Sequence, residues 1–548
     1  MSTAESQDIE QATSAIGAPD SKTRRYDRQL RLWAASGQHA LENSRILVLS
    51  SSATATAVLK NLVLPGIGHF TILDSAITTP ADAGNNFFLS GLESVGKPRA
   101  QEAVQLLCEL NESVEGEAVV KDISDLLQTE QGRAYVRSFS LVVAHNLRKD
   151  VLDGLSLLLW NDLSNPPLIV VRSAGFLAEF FIQFHEQCVA QPHTDETPPS
   201  LRITRPFPAL LQWARELDFD KLDPTEHGHV PFVIILVRAL DDWRKSHNGA
   251  PPSTSADKQA FKAAVREMRR KPDEENFDEA EAQAWRVWQE PAIPRDVEAL
   301  FALSPLSSPG LAATLPSSKL TPETPNAAFH ALLRTLDAFA RSDRGPGCLP
   351  LSAALPDMRT DTESYVKLQT AYKEWAGIEK AHFKELLGEK FPDIAPLMTA
   401  DQLDTFVKNA HHIRVLRGTR WGEWDTGAGT LATSLTTYAC EAATATHLAF
   451  CALSTLLNDN PDGSNVTVES LKTEIRKLVG ENVELPDEVD AAVGEIARAP
   501  TADMPNVAAF LGGLIAQEAI KVITNQYVPV KGYCVVDLVD SWTSIIGQ

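Results

Sequence analysis

Short apolar runs alternate with helical patterns along the first third of the chain. Strands are predicted at residues 45–49, 69–73, 140–144 and 168–171, with helices at 55–64 and 97–110. Buried apolar strands that alternate with helices favour a parallel sheet covered on both faces. The pattern therefore predicts an α/β fold in this region.

The segment before the first strand, TRRYDRQLRLW at 23–33, has the spacing of an amphipathic helix. Tyr26 and Trp33 share one apolar face, while Arg28 and Arg31 lie on the other side. The predicted helix therefore presents a basic face to its surroundings.

The C-terminal end returns to the α/β pattern. Residues 506–524 predict an apolar helix, in which Gly512 and Gly513 would let a neighbouring backbone approach closely. Residues 533–539 predict a strand. A sheet that is interrupted by a long insertion and completed here accounts for this order.

These patterns divide the chain into segments. Residues 1–22 are polar and are predicted to be a disordered leader. Residues 23–185 form the first part of the α/β domain, and residues 501–548 complete it. Between them, 186–500 contains charged, Leu- and Ala-rich stretches separated by loops rich in Pro, Ser and Thr. This composition predicts a mainly helical insertion.

Composition adds an acidic bias. The 548 residues include 72 Asp and Glu against 50 Lys and Arg, which gives a formal net charge of −22. Such a charge disfavours nucleic acid and anionic membranes and favours a partner with a basic face.

The cysteines and the N-terminal segment bear on the cellular compartment of the protein. The six cysteines form no CxxC pair, which excludes a zinc ribbon and a thioredoxin-type motif. The N-terminus lacks an apolar signal core, and no uninterrupted apolar run reaches the about 18 residues of a membrane span. We expect a cytoplasmic and nuclear protein.

The loop after the first strand, in ILVLSSSATATAVLKNLVLPG at 46–66, lies where α/β nucleotide binders place GxGxxG. The glycine positions hold Ser50, Ser52 and Ala55. Each added Cβ crowds a phosphate, and backbone angles that suit glycine become costly. Asp74, at the end of the next strand, is placed to bind a ribose, but without the glycines a dinucleotide site is disfavoured.

Several motifs carry a family resemblance. YDRQLRLW, GQHALENSRILVLS, LKNLVLPGIGHFTILD, DAGNNFFL and PNVAAFLGGLIAQEAIKVIT resemble the adenylation half of activating enzymes for ubiquitin and ubiquitin-like proteins. LRITRPFPAL, ENFDEA and CLPLSAALPDMRTDTESYVKLQTAY are similar to the regulatory subunits of the neddylation branch. The resemblance spans about residues 23–548. It implies a Rossmann-like, ThiF/MoeB-type adenylation fold, with the insertion equivalent to a catalytic-cysteine half-domain.

The resemblance also implies which site residues remain. Catalytic members hold ATP and Mg²⁺ with carboxylates, an arginine and a lysine. This chain keeps Asp74 and Lys97 but has Ala76 for the second Asp, Asn85 for the Arg and His145 for the late Asp. We expect a degenerate site with no bound cofactor and no metal, and ATP and Mg²⁺ on the partner subunit. Local structure alone would also explain the two retained residues.

No thioester-forming cysteine is expected. The family's catalytic cysteine stands in a Pro-x-Cys-Thr setting, and none of the six cysteines here precedes Thr. Cys108 and Cys451 lie in apolar helical contexts typical of inert core thiols, and Cys348 has no neighbouring base.

Arg28 is the expected catalytic contribution. The resemblance implies that the N-terminal helix of the inactive half donates this arginine in trans to ATP on the active half, in the manner of an arginine finger. The alternative is a surface ion pair of Arg28 with an acid, worth at most about 1 kcal/mol.

The implied function is that of a non-catalytic subunit that completes the active site of a catalytic partner. The implied partners are that catalytic subunit, the ubiquitin-like neddylation modifier and, transiently, its conjugating enzyme. Three alternatives stay open: a regulatory subunit for another modifier such as SUMO, a stand-alone adenylyltransferase, and a structural adaptor.

Overall fold

The computed structural model describes residues 21–192, 200–310, 314–316, 319–343, 345 and 347–548. Of the predicted leader, residues 1–20 lie outside the described residues. The described chain forms two compact units. The sheet unit comprises the described parts of Ala18–Val189, Leu306–Leu315 and Val415–Gln548, and the helical unit those of Ala190–Pro305 and Pro316–Arg414.

The strands, numbered along the chain, are β1 (Arg45–Leu49), β2 (His69–Leu73), β3 (Glu115–Val119), β4 (Leu141–His145), β5 (Leu168–Ala174), β6 (Leu177–Gln183), β7 (Glu186–Val189), β8 (Arg414–Arg417), β9 (Tyr533–Asp537) and β10 (Trp542–Ile546). Within the described residues, the main sheet has the order β10-β9-β6-β5-β4-β1-β2-β3, and β7 pairs with β8 separately.

The helices before and within the helical unit follow the same numbering. Those of the sheet unit are α1 (Ser21–Glu42), α2 (Ala53–Val63), α3 (Pro80–Asn85), α4 (Arg99–Cys108), α5 (Ile123–Leu127), α6 (Glu130–Arg137) and α7 (Lys149–Trp160). Those of the helical unit are α8 (Pro208–Glu216), α9 (Pro224–His227), α10 (Phe232–Ser246), α11 (Ser255–Glu267), α12 (Glu275–Gln283), α13 (Arg295–Leu300), α14 (Ala327–Ala340), α15 (Thr362–Lys390) and α16 (Ala400–Lys408).

The chain then returns to the sheet unit through α17 (Ala428–Leu435), α18 (Glu441–Asp459), α19 (Val468–Val479), α20 (Asp487–Arg498) and α21 (Pro505–Thr524). The predicted insertion at 186–500 thus contains two kinds of segment. Most of its part from residue 190 to residue 414 supplies the helical unit, whereas residues 186–189, the described residues of 306–315 and the helices from α17 to α20 belong to the sheet unit.

The main sheet is mixed, which corrects the expectation of a parallel sheet. Strands β1 to β5 pair in parallel, with Ile46 opposite Phe70 on one side and Leu141 on the other. Strand β6 pairs antiparallel with both β5 and β9, and β10 pairs antiparallel with β9. Parallel pairing therefore holds from β1 to β5, while the hairpins β5–β6 and β9–β10 and the long-range pair β6–β9 are antiparallel.

Helix α1 contains a break. Trp33 and Ala34 have non-helical angles, so the predicted helix at 23–33 is the part before the break. Tyr26 and Trp33 are buried, and Arg28 and Arg31 are exposed, as the spacing predicts.

Helices α2 and α21 pack closely beside the sheet. A Cβ at Gly512 would lie 2.7 Å from Ala57 Cβ and 2.8 Å from the Ala57 carbonyl oxygen. Only glycine permits this approach, as predicted for Gly512. The prediction is wrong for Gly513, where a Cβ would meet nothing within 4 Å. By length and composition α21 could cross a membrane, but half of its apolar window is buried, as in a core helix.

The motifs that carry the regulatory-subunit resemblance bind one another inside the helical unit. Arg202, in LRITRPFPAL, donates to the Leu349 carbonyl in CLPLSAALPDM and to the carboxylate of Glu379. Tyr372 at the end of the third motif donates its hydroxyl to the Leu201 carbonyl. These residue types therefore serve the folding of this unit.

Candidate functional site

The carboxyl ends of β1, β2 and β4 meet at the edge of the sheet where nucleotide binders of this topology hold their ligand. Strand β1 leads through Ser50 into the N-terminus of α2. Ser50 has φ +131°, a backbone conformation that suits glycine and that L side chains rarely adopt. At Ser50 the backbone thus has a conformation typical of glycine although serine stands there.

The N-terminus of α2 is capped by its own chain. Ser52 Oγ accepts a hydrogen bond from Ala55 N at 3.1 Å and lies 2.7 Å from His145 Nδ1. The other ring nitrogen of His145 lies 2.9 Å from Ser173 Oγ. Ser52 and Ala55, at two of the substituted glycine positions, are therefore joined to His145 in one buried hydrogen-bond network.

A carboxylate occupies the position that an anionic ligand would take at this helix end. Asp503 Oδ2 accepts from the Thr54 backbone N at 3.0 Å, and Asp503 Oδ1 accepts from Thr54 Oγ1 at 2.6 Å. Exposed N–H groups and the helix dipole attract a negative charge at such a terminus. With Asp503 in place, a phosphate would meet a like charge there.

Asp74 is fully engaged by protein groups. Its Oδ2 accepts from Ser51 N at 2.7 Å, from Ser51 Oγ, and from Arg99 Nη2 at 2.8 Å, while its Oδ1 accepts from Ala76 N. Arg99 also pairs with Asp82 at 2.8 Å. Burial opposes ionisation of Asp74, but Arg99 and these hydrogen bonds outweigh it and lower its pKa. Protein groups bind both carboxylate oxygens, so a ribose would have to compete with them.

The residues at the other family positions do not form a site for ATP and Mg²⁺. Lys97 is half exposed and pairs with Glu102 at 3.4 Å. Ala76 offers no carboxylate, and Asn85 carries no charge. Burial lowers the pKa of His145, so its imidazole is neutral and cannot replace a magnesium carboxylate. The residues present do not fit ATP and Mg²⁺.

Sequence reasoning missed Arg99, Asp503 and Asn86. Buried Asn86 donates to the Ser51 carbonyl and accepts from Thr56 Oγ1 at 2.9 Å, which fixes the loop from the side of α3. The Asn-Asn pair in DAGNNFFL and the basic residue two positions after Lys97 are signals that could have pointed to two of them. Asp503 lies 449 residues from Thr54, and no local pattern signals it.

Four of the cysteines are poor nucleophiles because burial raises their thiol pKa values, to about 12 for Cys534; these are Cys108, Cys188, Cys348 and Cys534. The expectation of an apolar setting is wrong for Cys451. Its sulfur lies 3.5 Å from His447 Nε2 and 3.6 Å from Arg172 Nη2, among charged side chains.

Asp503→Ala is expected to lower the free energy of unfolding by about 1 kcal/mol, because the Thr54 N–H loses its acceptor and the helix dipole loses its counter-charge. Thermal unfolding measures the loss. The control Asp540→Ala removes an exposed acid and should change stability by less than about 0.5 kcal/mol. Equal stability of the two variants would contradict the capping role.

Comparison with known proteins defines the class first. Residues 26–145 match the ThiF family, in agreement with the predicted adenylation fold. One crystal structure of E. coli MccB is similar at 16% identity, covering 29% of this chain and 48% of that chain, with a TM-score of 0.26.

Full-length relatives then define the family. The NEDD8-activating enzyme E1 regulatory subunit of Xenopus laevis is 32% identical over 92% of this chain and 95% of the relative. The Gallus gallus protein of the same description is 33% identical over 93% and 96%. The Arabidopsis thaliana regulatory subunit AXR1 is 29% identical over 95% and 96%. The chain belongs to the family of NEDD8-activating enzyme E1 regulatory subunits. The predicted family and regulatory role are confirmed, and the SUMO-type alternative is set aside.

Proposed function

We propose that this chain is the non-catalytic half of a heterodimeric activating enzyme, that it binds no nucleotide, and that ATP and Mg²⁺ are held by the catalytic subunit. The observation that carries the proposal is the closure of its own site. Asp503 accepts a hydrogen bond from Thr54 N at the N-terminus of α2, and Arg99 forms an ion pair with Asp74. Adenylation of the modifier and thioester formation then take place on the partner.

Arg28 supplies the catalytic contribution of this chain. It is exposed on α1, and among the described residues its side chain has no hydrogen bond or ion pair. Its neighbours differ, because Arg25 donates to the Leu110 carbonyl and Arg31 pairs with Asp27 at 3.0 Å. The alternative of a surface ion pair therefore lacks an acid, and the guanidinium is available to the triphosphate on the partner.

An apolar face on the sheet unit suits the catalytic subunit. Phe87 is 86% exposed, Leu92 81% and Phe510 43%. Phe87 lines a cavity of about 310 Å³ between α2, α21 and the segment after α3, and the lining also includes Ala53 and Ala508. Large exposed apolar side chains around a concave surface are typical of protein interfaces. We assign this face to the adenylation fold of the partner.

Phe87→Asp is expected to raise the Kd of the heterodimer about 30-fold, equivalent to about 2 kcal/mol for an aromatic anchor. Titration of labelled catalytic subunit measures the affinity. The control Leu157→Asp adds the same charge at a leucine that is 51% exposed on α7. An affinity loss in the control as large as in Phe87→Asp would contradict the assignment.

The net charge of −22 is proposed to attract basic surfaces of the modifier or of the conjugating enzyme, in the cytoplasm and the nucleus. Attraction between opposite charges raises association rates and is screened by salt. Stopped-flow measurements should show the association rate of the conjugating enzyme falling as salt is added. A rate that is insensitive to salt would contradict this role.

ATP–pyrophosphate exchange tests the proposed division of labour. The reaction is measured in the presence of the modifier with this chain alone, with the catalytic subunit alone, and with both chains. We expect fast exchange with the pair and none with this chain alone. Exchange by this chain alone would identify it as a stand-alone adenylyltransferase, and undiminished exchange by the partner alone would leave Arg28 without a role.

A further inference from the structure

Three potential metal ligands that are not part of the degenerate nucleotide site meet in the sheet unit. His447 and Cys451 are four residues apart on α18, so both side chains lie on one face of the helix. Asp425 belongs to the short turn Trp424–Thr426. Their ligand atoms all lie within 4.8 Å of one another. We call Asp425, His447 and Cys451 the Asp425 cluster.

The separations within the Asp425 cluster resemble those around a tetrahedral ion. Cys451 Sγ is 3.5 Å from His447 Nε2 and 3.8 Å from Asp425 Oδ2, and His447 Nε2 is 3.0 Å from Asp425 Oδ1. Zinc bonds of about 2.0–2.3 Å at tetrahedral angles place donor atoms roughly 3.3–3.6 Å apart. The two Asp425 distances are to different oxygens of its carboxylate, so binding through one oxygen requires the carboxylate to turn; with one ligand atom per residue, the three donor atoms lie within 4.8 Å of one another.

The surroundings orient the imidazole as metal sites do. His447 Nδ1 lies 2.9 Å from Glu179 Oε2, and Glu179 is fully buried on β6. A carboxylate on one ring nitrogen of a histidine fixes the other as the metal-binding atom and raises its basicity. Here that other nitrogen, Nε2, faces Asp425 and Cys451.

Charge and access also suit a divalent cation. With the thiol ionised, Asp425, Cys451 and Glu179 carry three negative charges against one positive charge on Arg172, so a divalent ion makes the group neutral. The ion replaces the proton between His447 and Asp425 and the thiol proton, and both protons leave to solvent. Asp425 and Cys451 are partly exposed, which gives the ion a path of entry.

We propose that Asp425, His447 and Cys451 form a zinc-binding site with a fourth position open to water. The combination of thiolate, imidazole and carboxylate favours zinc over magnesium or calcium, which prefer oxygen ligands alone. The bound ion would link α18 to the turn that contains Asp425. This role would be structural and separate from the reaction on the catalytic subunit. Sequence reasoning expected no metal because the three ligands form no CxxC pair or other recognised spacing.

Cobalt binding to the full-length, chelator-treated chain tests the site. Co²⁺ is expected to bind with a stoichiometry of one and to produce a thiolate-to-cobalt charge-transfer band in the near ultraviolet, which added Zn²⁺ abolishes. Cys451→Ser should lose the band and weaken Zn²⁺ binding at least about 100-fold, beyond the about 10–100-fold typical of an outer-sphere change. Circular dichroism checks that the variant is folded.

Cys440→Ser is the matched control, since Cys440 is a partly buried cysteine at the start of the same helix. It should keep both the band and the Zn²⁺ affinity of the wild type. Absence of the band in the wild-type chain would overturn the proposal without any variant. Retention of the band in folded Cys451→Ser would overturn it as well, because the thiolate would then belong to another cysteine.

Discussion

Arg28→Ala is expected to slow ATP–pyrophosphate exchange by the assembled heterodimer about 10³-fold, the lower end of the range for arginine fingers. A guanidinium from α1 would orient the triphosphate and stabilise charge as pyrophosphate leaves. Alanine removes that charge without disturbing the apolar face of α1, because Arg28 is exposed. Exchange assays at saturating modifier and ATP measure the loss.

Arg31→Ala provides the control for this experiment. Arg31 is an exposed arginine of the same helix whose charge is already paired with Asp27. Its loss should leave exchange within about twofold of the wild type, since an exposed pair contributes about 1 kcal/mol at most. The heterodimer Kd should be unchanged in both variants. Unimpaired exchange by a fully assembled Arg28→Ala heterodimer would refute the trans contribution.

Glu379→Ala is expected to lower the stability of the helical unit by about 3–5 kcal/mol, the usual cost of leaving one member of a buried ion pair unpaired. Glu379 accepts from Arg202 at 3.1 Å, from Leu351 N at 2.7 Å and from Trp375 Nε1 at 2.8 Å. The arginine is 6% exposed and the glutamate 1%. Without the carboxylate, the Arg202 charge stays buried. Urea denaturation measures the loss.

Glu290→Ala is the matched control in the same unit. Glu290 pairs with Arg205 at 2.9 Å, but both side chains are nearly half exposed, so its loss should cost about 1 kcal/mol at most. The double variant Arg202→Met/Glu379→Leu removes both buried charges and should recover most of the stability lost by Glu379→Ala. A double variant no more stable than Glu379→Ala would show that the unpaired charge is not the cause.

The sequence pattern predicts the central strands well because their residues are apolar on both faces. Strands β1 and β2 have the predicted bounds. Strand β6 was missed since its run LAEFFIQ contains Glu179, which is tolerated in the core because Arg172 and His447 bind it. Strand β3, at the sheet edge, is only partly buried and lacks an apolar signal.

The sequence predicts which nucleotide-binding residues the candidate site lacks, but it does not predict which side chains bind in their place. Ser50, Ala76 and Asn85 are recognisable because a family pattern assigns each position a chemical role. Arg99 pairs with Asp74 across 25 residues and Asp503 binds Thr54 across 449 residues, and the family pattern assigns neither of them a role. Asp74 forms an ion pair with Arg99, which is the kind of local contact that a structural role of Asp74 requires.

In the loop after β1, a backbone conformation typical of glycine is present although the residue is serine. Ser50 holds φ +131°, a conformation that costs a non-glycine residue about 1–3 kcal/mol. Hydrogen bonds from Ser51 N to Asp74 and from Asn86 to the Ser51 carbonyl hold the adjoining residue, so protein contacts stabilise the turn at Ser50. A dihedral angle typical of glycine at a non-glycine residue can therefore mark this strand-to-helix loop where the glycine pattern itself has disappeared.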